Sequence, residues 1–83
     1  MGQHIPVCTD AQLQQGESFE WVNSGKTDCE ITQCDPPLEK NRYDVAAGSS
    51  TPAKVRDHAE RKTHYYRCEC GKGKLNNPKI IIS

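Results

Sequence analysis

The 83-residue sequence has few of the residues that build a large core. It contains one Phe, one Trp and three Tyr, its single Met is Met1, and only 34% of its residues are apolar. A chain of this length forms about one small domain, which buries only about 60% of its unfolded surface. We therefore expect a single domain over residues 1–83, with residues 1–15 as an N-terminal arm or edge strand and with marginal stability unless the chain is cross-linked.

The sequence also lacks an excess of either charge and lacks a long apolar run. Eleven basic and eleven acidic residues cancel, so no overall field attracts a nucleic acid or an anionic membrane. No apolar run approaches the roughly 20 residues that span a bilayer, and the first ten residues have neither the basic nor the apolar segment of a signal peptide. We expect a soluble monomer with no nucleic-acid or membrane partner and with an unknown protein partner. The compartment stays open.

Cysteine, in contrast, is abundant. The five cysteines are Cys8, Cys29, Cys34, Cys68 and Cys70, and such a density in a small domain indicates disulfides or a metal site. Because the number is odd, at least one thiol stays free, pairs with another molecule or holds a ligand. Disulfides, metal binding and reduced structural thiols all remain open from the count alone. Disulfides would favour a periplasmic or secreted location.

Turn residues divide the chain into short apolar stretches, as an all-β domain requires. The strongest alternation places Phe19, Trp21 and Asn23 on one face of a strand. About seven strands are predicted, which favours a sandwich or barrel. They lie at 5–7, 19–23, 27–34, 43–45, 51–55, 64–70 and 79–82, with one helical turn predicted at 57–62 and a loop at 71–74.

The order of these features resembles the cupredoxins, the plastocyanin and azurin type of small copper protein. The resemblance covers residues 16–83, through GESFEWVNSGKTDC, AAGSS and HYYRCECGKGKLNNPKIIIS. Gly16, Glu17, Phe19, Trp21 and Asn23 fit the family's first core strand. Tyr66 and Cys68 fit the strand that ends in the ligand Cys, and the apolar stretch 80–82 fits the last strand. The resemblance implies a Greek-key β-sandwich or barrel.

The same resemblance shows that most copper ligands are missing. The position of the first ligand His falls on Cys29, and neither His nor Met occurs between Cys70 and Ile80. A blue-copper site needs two imidazoles and a thiolate. None of the three histidines, His4, His58 and His64, occupies a matching position, and a hydrogen-bonded or exposed role is predicted for His64. We expect no blue-copper site and no bound cofactor.

Two ligand positions of one metal lie close together, so the resemblance implies that Cys29 and Cys68 are neighbours. It therefore predicts a disulfide between them, since disulfide formation requires Cα atoms less than about 7 Å apart. A second bridge between Cys34 and Cys70 stays open, although Cys34 should face the opposite way from Cys29. Cys68 and Cys70 point the same way along a strand and are poorly placed to bond to each other, so one of them is predicted to be the free thiol.

A different class of function uses the same thiols as soft metal ligands. Cys29, Cys68 and Cys70 would then bind zinc or monovalent copper. The C-x-C and C-x₄-C spacings are not those of common structural zinc sites, and the disulfide interpretation is preferred.

No catalytic arrangement emerges from the sequence. Cys68 with His64 is a weak thiol and base pair, and the segment 71–74 lacks the spacing of a phosphate-binding loop. Tyr65 and Arg67 form an outward face of a type enriched at protein contacts. The sequence therefore predicts a non-enzymatic, disulfide-stabilised structural or interaction module, with thiolate metal binding as the alternative.

Overall fold

The computed structural model describes residues 2–33, 37–71 and 75–83, in which the chain forms ten strands and no helix. The strands are β1 (Gln3–Pro6), β2 (Ala11–Leu13), β3 (Ser18–Val22), β4 (Cys29–Thr32), β5 (Arg42–Val45), β6 (Ser50–Lys54), β7 (Thr63–Tyr65), β8 (Arg67–Cys70), β9 (Leu75–Asn76) and β10 (Lys79–Ile82). Within the described ranges no helix suited to crossing a membrane is found. The all-β prediction is confirmed.

The strands form three hydrogen-bonded sheets, in the orders β1-β3-β6, β2-β10-β7 and β5-β4-β8-β9. Two pairings are parallel, β1 with β3 and β2 with β10, and the other pairings are antiparallel. The edge position of β1 suits Pro6, which has no amide hydrogen for a second neighbouring strand. β1 lies at the edge of its sheet and covers 3–6, where the sequence analysis placed a strand at 5–7.

The chain changes sheet at two places that matter for the site. Residues 7–10 carry it from β1, paired with β3, to β2, paired with β10. Tyr66 carries it from β7, which pairs with β10, to β8, which pairs with β4. The predicted strand at 64–70 is therefore two strands, although its alternation is correct: Tyr66 and Cys68 are buried, whereas Tyr65, Arg67 and Glu69 are exposed.

The other differences from the predicted elements are local. β2 and β9 were not predicted, because strands of three and two residues carry too little alternation to be recognised. The predicted helical turn at 57–62 is wrong. Asp57 and His58 form a turn, and Ala59 is buried in the core. The segment between β6 and β7 therefore packs against the core without forming a helix. Of the predicted loop at 71–74, only Gly71 lies within the described residues.

An aromatic layer of Phe19, Trp21 and Tyr66 lies at the centre of the core. Phe19 and Trp21 alternate on β3, and their ring centroids lie 5.2 Å apart in an edge-to-face arrangement. Trp21 and Tyr66 are also separated by 5.2 Å between centroids. All three side chains are buried. The predicted core strand is confirmed, and apolar residues of the other strands surround it: Ile5, Leu13, Ile31, Tyr43, Val45, Ile80 and Ile82.

The turn before β3 explains the first residue of the aromatic-strand motif. Gly16 has a φ of 75°, in the left-handed region that favours glycine. A Cβ atom there would lie 2.9 Å from the Asp57 carboxylate oxygen. Glycine is therefore favoured by the backbone conformation, whereas the exposed Asp57 side chain can move aside for a Cβ atom.

A four-sulfur candidate site

Two disulfides form the most distinctive chemical feature of the described residues. Cys8 bonds to Cys68, and Cys29 bonds to Cys70. The second bond follows from sheet register, since Cys29 on β4 lies directly opposite Cys70 on β8. Their Cα atoms are 4.1 Å apart, close to the spacing of a non-hydrogen-bonded antiparallel pair.

The first disulfide joins two sheets. Cys8 lies in the connection after β1, whereas Cys68 points into the core from β8. Cys8 has a φ of 63°, in the left-handed region that side chains rarely adopt. Hydrogen bonds hold the chain on both sides of it: the Val7 amide donates to the Val22 carbonyl at 2.9 Å, and the Thr9 hydroxyl donates to the Pro6 carbonyl at 2.6 Å.

The two disulfides are in contact with each other. The Sγ atoms of Cys8 and Cys70, which are not bonded, lie 3.4 Å apart. The Sγ atoms of Cys8, Cys68 and Cys70 all lie within 4.8 Å of one another. Cys8 and Cys70 are half-buried, while Cys29 and Cys68 are buried. We call these four residues the sulfur cluster.

Asn23 fixes the loop before β4 through hydrogen bonds, and so helps to position Cys29 at the start of that strand. Its buried side-chain amide donates to the carbonyls of Thr27 at 2.8 Å and Val45 at 3.0 Å. Its side-chain oxygen accepts a hydrogen bond from the Gly25 amide at 3.0 Å. These three bonds close the loop before β4, which accounts for the asparagine of the aromatic-strand motif.

Tyr66 connects the sulfur cluster to the aromatic layer. Its ring packs on Trp21, and its hydroxyl donates to the Thr9 carbonyl at 2.6 Å, next to Cys8. Burial raises the pKa of the Tyr66 hydroxyl far above its ordinary value, so this group keeps its proton and remains a donor. The connection at residues 7–10, which we call the Cys8 loop, is therefore held by a hydrogen bond as well as by a disulfide.

The predicted Cys29–Cys68 disulfide is wrong, although both residues lie in the cluster. Across β4 and β8, Cys29 faces Cys70, and Cys68 faces Ile31. Cys29 and Cys68 are therefore diagonal neighbours, and Cys29 bonds to the directly opposite residue, Cys70. The expectation that Cys68 and Cys70 do not bond to each other is confirmed. The expectation that one of them is free is wrong, because both are bonded elsewhere.

Cys8 is the site residue that the sequence analysis missed. The sequence analysis counted Cys8 among the five cysteines and placed it in the N-terminal arm. Nothing in the local sequence indicates that this arm reaches β8. The only usable signal was the surplus of cysteines over the predicted Cys29–Cys68 bond. Cys34, offered as a partner in a second bridge, lies outside the described residues.

The residues predicted for a metal, Cys29, Cys68 and Cys70, are partly brought together. Among the described residues, the group of possible ligands close enough to share an ion is Cys8, Cys68 and Cys70. Cys29 is linked to this group through its bond to Cys70. The metal assignment stays a prediction.

The histidines lie outside that group. His4 is on β1, 3.7 Å from the Glu20 carboxylate, with its side chain exposed. His58 is exposed in a turn. His64 lies 2.9 Å from the Glu60 carbonyl through Nε2, which confirms its predicted hydrogen-bonded role. None of the three histidines belongs to the group of possible ligands around Cys68.

The two predicted contact residues, Tyr65 and Arg67, are exposed on β7 and β8, and Leu75 on β9 is a further exposed apolar residue. Tyr65 is 70% exposed and Leu75 is 46% exposed. Arg67 is exposed between them along the chain, and Leu75 pairs with Glu69 across β8 and β9. We call Tyr65, Arg67 and Leu75 the Tyr–Arg–Leu surface.

Comparison with known proteins gives a clear answer for the fold. No protein-family model and no curated protein sequence matches the chain. Solved structures do match. A reduced Cu(I) form and an oxidised form of two amicyanin variants each superpose with a TM-score of 0.68 and 10% identity, over 99% of this chain and 82% of theirs. Another Cu(I) variant of amicyanin gives 0.63 and 12% identity, over 95% and 81%.

The fold is therefore cupredoxin-like, as the resemblance predicted. At 10–12% identity the likeness establishes the fold alone. Of the four copper-ligand positions that the resemblance aligns, only Cys68 keeps its ligand type, and its sulfur is bonded to Cys8.

Proposed function

We propose that this chain is a non-enzymatic, cupredoxin-like interaction module in which two disulfides lie in the region where the family's copper ligands would be. The observation that carries the proposal is that every cysteine of the described residues is disulfide-bonded. A sulfur in a disulfide has no thiolate to give to a metal or to a substrate. The oxidised cluster therefore supports a structural role.

The disulfides are well suited to stabilise a thin core. They link residues separated by 60 and 41 positions, for which the chain-entropy model gives about 4.3 and about 3.9 kcal/mol, respectively. The two loops overlap along the chain, so their contributions do not simply add. Such bonds persist in oxidising compartments, which supports a periplasmic or secreted location.

The Tyr–Arg–Leu surface is the proposed contact site for a protein partner. Tyr and Arg are enriched among residues that dominate binding energy. Here they are exposed on strands whose inward faces are fixed by the core and the sulfur cluster. A rigid support of this kind lowers the ordering cost of binding. The domain is proposed to act as a monomer toward that partner.

Intact mass spectrometry of protein purified without chelator tests the oxidised state. We expect a mass four hydrogens below that of the reduced chain, from two disulfides, with no metal adduct. Alkylation after denaturation then labels one thiol, since five cysteines less four bonded ones leaves one. A stoichiometric ion on a fully reduced chain would refute the proposal.

Affinity capture tests the interaction part, using Tyr65→Ala and Arg67→Ala baits beside the native bait. We expect recovery of a bound protein to fall at least tenfold for either variant, because loss of a contact hot spot costs about 2 kcal/mol or more. His4→Ala, exposed on β1 in a different sheet from Tyr65 and Arg67, is the matched control and should not change recovery. Equal recovery with all baits would place the contact surface elsewhere.

A thiolate metal site is the second candidate, and the compact group of Cys8, Cys68 and Cys70 favours it. On full reduction these three thiolates would offer soft ligands to zinc or monovalent copper. Dialysis of the reduced protein against each ion, followed by native mass spectrometry, tests this. One ion per chain that is lost in the Cys8→Ala variant supports the site, and no retained ion excludes it.

A further inference from the structure

The contact between the two disulfides carries a consequence beyond a structural role. We infer that the sulfur cluster is a two-electron redox site: reduction of either disulfide by an external dithiol leads to one common product. That product has a Cys8–Cys70 disulfide and thiols on Cys29 and Cys68. The inference rests on the oxidised state proposed above and assigns it a reaction with dithiol reductants.

The first route begins at the Cys29–Cys70 disulfide. An external dithiol gives two hydrogens and becomes a disulfide, leaving thiols on Cys29 and Cys70. The Cys70 thiol loses its proton to solvent, and its thiolate attacks the Sγ of Cys8. The Cys8–Cys70 bond forms, the Cys8–Cys68 bond breaks, and Cys68 leaves as a thiolate that takes up a proton. This exchange needs no further electrons.

The second route begins at the Cys8–Cys68 disulfide and ends at the same product. The dithiol reduces this bond to two thiols. The Cys8 thiolate then attacks the Sγ of Cys70, and Cys29 leaves as a thiolate that takes up a proton. Both routes pass through the same pair of sulfurs, Cys8 and Cys70. The site of first attack therefore does not decide the product.

The geometry favours this exchange. The attacking and attacked sulfurs are 3.4 Å apart, within the range of about 3–3.5 Å for aligned reacting atoms. They need to approach only to the disulfide length of about 2.0 Å. Attack by Cys70 on Cys68 instead would join two residues on one side of β8, where parallel side chains are poorly placed to bond.

Burial sets the direction of the exchange. Cys8 and Cys70 are half-buried and open to a reductant, while Cys29 and Cys68 are buried. A buried thiol is favoured in its neutral form, which is a poor nucleophile and packs as a small apolar group. The product keeps its disulfide on the accessible sulfurs and its thiols on the inaccessible ones, so reverse attack is slow.

Partial reduction followed by disulfide mapping tests the inference. The Cys34→Ser protein, which removes the fifth thiol, is treated with limiting dithiothreitol, quenched in acid and alkylated in denaturant. We expect the two-electron species to carry label on Cys29 and Cys68 and to retain a Cys8–Cys70 bond. Label on Cys29 with Cys70, or on Cys8 with Cys68, would overturn the inference, as would a passage from oxidised to fully reduced chain without any two-electron species.

Three variants in the Cys34→Ser background test the exchange without a reductant. Cys29→Ser and Cys68→Ser each leave one thiol of the Cys8 and Cys70 pair beside an intact disulfide, and both should convert to a Cys8–Cys70 bond in at least 90% of molecules. Cys70→Ser is the matched control. It leaves a Cys29 thiol outside the compact group and should keep the Cys8–Cys68 bond.

Retention of the original bonds in both Cys29→Ser and Cys68→Ser would refute the exchange. That outcome would leave the proposed structural function intact, because the native chain would still hold two disulfides. Purification of a reduced, metal-bound native chain would refute the proposed function instead. The two failures are therefore distinguishable.

Discussion

The aromatic layer and the sulfur cluster lie side by side in this domain but are stabilised in different ways. Phe19, Trp21 and Tyr66 contribute through close packing in the folded state. The disulfides contribute mainly by restricting the unfolded chain. The first region is therefore sensitive to side-chain volume and insensitive to redox conditions, whereas the second has the opposite sensitivities. A small domain with few aromatics gains from combining the two.

The largest expected effect is on the aromatic side of this comparison. Trp21→Ala should lower the free energy of unfolding by about 3–5 kcal/mol, because it leaves a cavity at a fully buried position. Urea denaturation followed by circular dichroism measures it. The loss should be similar with the disulfides intact or absent. A loss that vanishes on reduction would mean that the two regions are not independent.

Trp21→Phe is the control for volume. The buried Trp21 indole nitrogen has no hydrogen-bond partner among the described residues, so this change removes an unpaired donor along with part of the ring. We expect Trp21→Phe to cost less than half of what Trp21→Ala costs. Equal costs would show that the indole as a whole, and not the filled volume, is required.

The next effect is the loss of stability when one disulfide is removed, which should differ between the two bonds. Removing Cys8–Cys68 with a pair of alanines should cost about 4 kcal/mol, and removing Cys29–Cys70 in the same way should cost slightly less. The first bond joins different sheets, while the second joins strands that are already hydrogen-bonded to each other. Urea denaturation gives the order, and hydrogen exchange should show faster opening of β1 only in the first variant. The reverse order of cost would contradict this account.

A smaller effect is expected where the two regions meet. Tyr66→Phe keeps the ring contact with Trp21 but removes the hydrogen bond to the Thr9 carbonyl. It should cost about 1 kcal/mol. It should also speed dithiothreitol reduction of Cys8–Cys68 in a chain that carries Cys29→Ala and Cys70→Ala, but not that of Cys29–Cys70 in a chain that carries Cys8→Ala and Cys68→Ala, since only the connection around Cys8 is released. Equal acceleration of both reductions would show that the hydrogen bond does not act on Cys8 in particular.

The smallest effect is on alkaline stability. Burial raises the pKa of Tyr66 and of Tyr43 above the ordinary value of 10.0. Stability is therefore full below about pH 10 and falls as the pH rises further, because the unfolded chain loses these protons first. At pH 10 the loss from Tyr66 is about 0.4 kcal/mol. Urea denaturation of the Cys34→Ser protein at pH 8 and pH 10 measures the change in the free energy of unfolding. The Tyr66→Phe variant should not show the part of the loss that comes from Tyr66. A rise in stability over this interval would contradict the assignment.

The sequence was sufficient for patterns that lie within one strand. Phe19 and Trp21, or Cys29 and Ile31, alternate with more exposed residues, and the strand period of two makes such alternation readable. The order of these strands supported the cupredoxin-like fold. Asn23 was also assigned to the core side of its strand, where its side chain closes the loop before β4.

The features that the sequence did not reveal depend on which strands become neighbours. The Cys29–Cys70 bond requires the register of β4 against β8, and a shift of one residue would turn these side chains to opposite faces. The Cys8–Cys68 bond requires the parallel pairing of β1 with β3. It also requires Cys8 itself, just after β1, to adopt a backbone conformation in the left-handed region. Neither is encoded in local alternation. The break at Tyr66 was hidden because its side chain keeps the alternation of a continuous strand.

The parallel pairing of β2 with β10 also has a consequence for the order of folding. Ile80, Ile81 and Ile82 pair with Ala11, Gln12 and Leu13, across almost the whole chain. During synthesis β2 leaves the ribosome well before β10 and cannot pair with it until β10 has also emerged. A sheet that depends on such distant segments closes late, because loop-closure entropy opposes it until then. Sheet β2-β10-β7 should therefore be the last of the three sheets to assemble, so a nascent chain exposes the β2 edge until β10 has emerged.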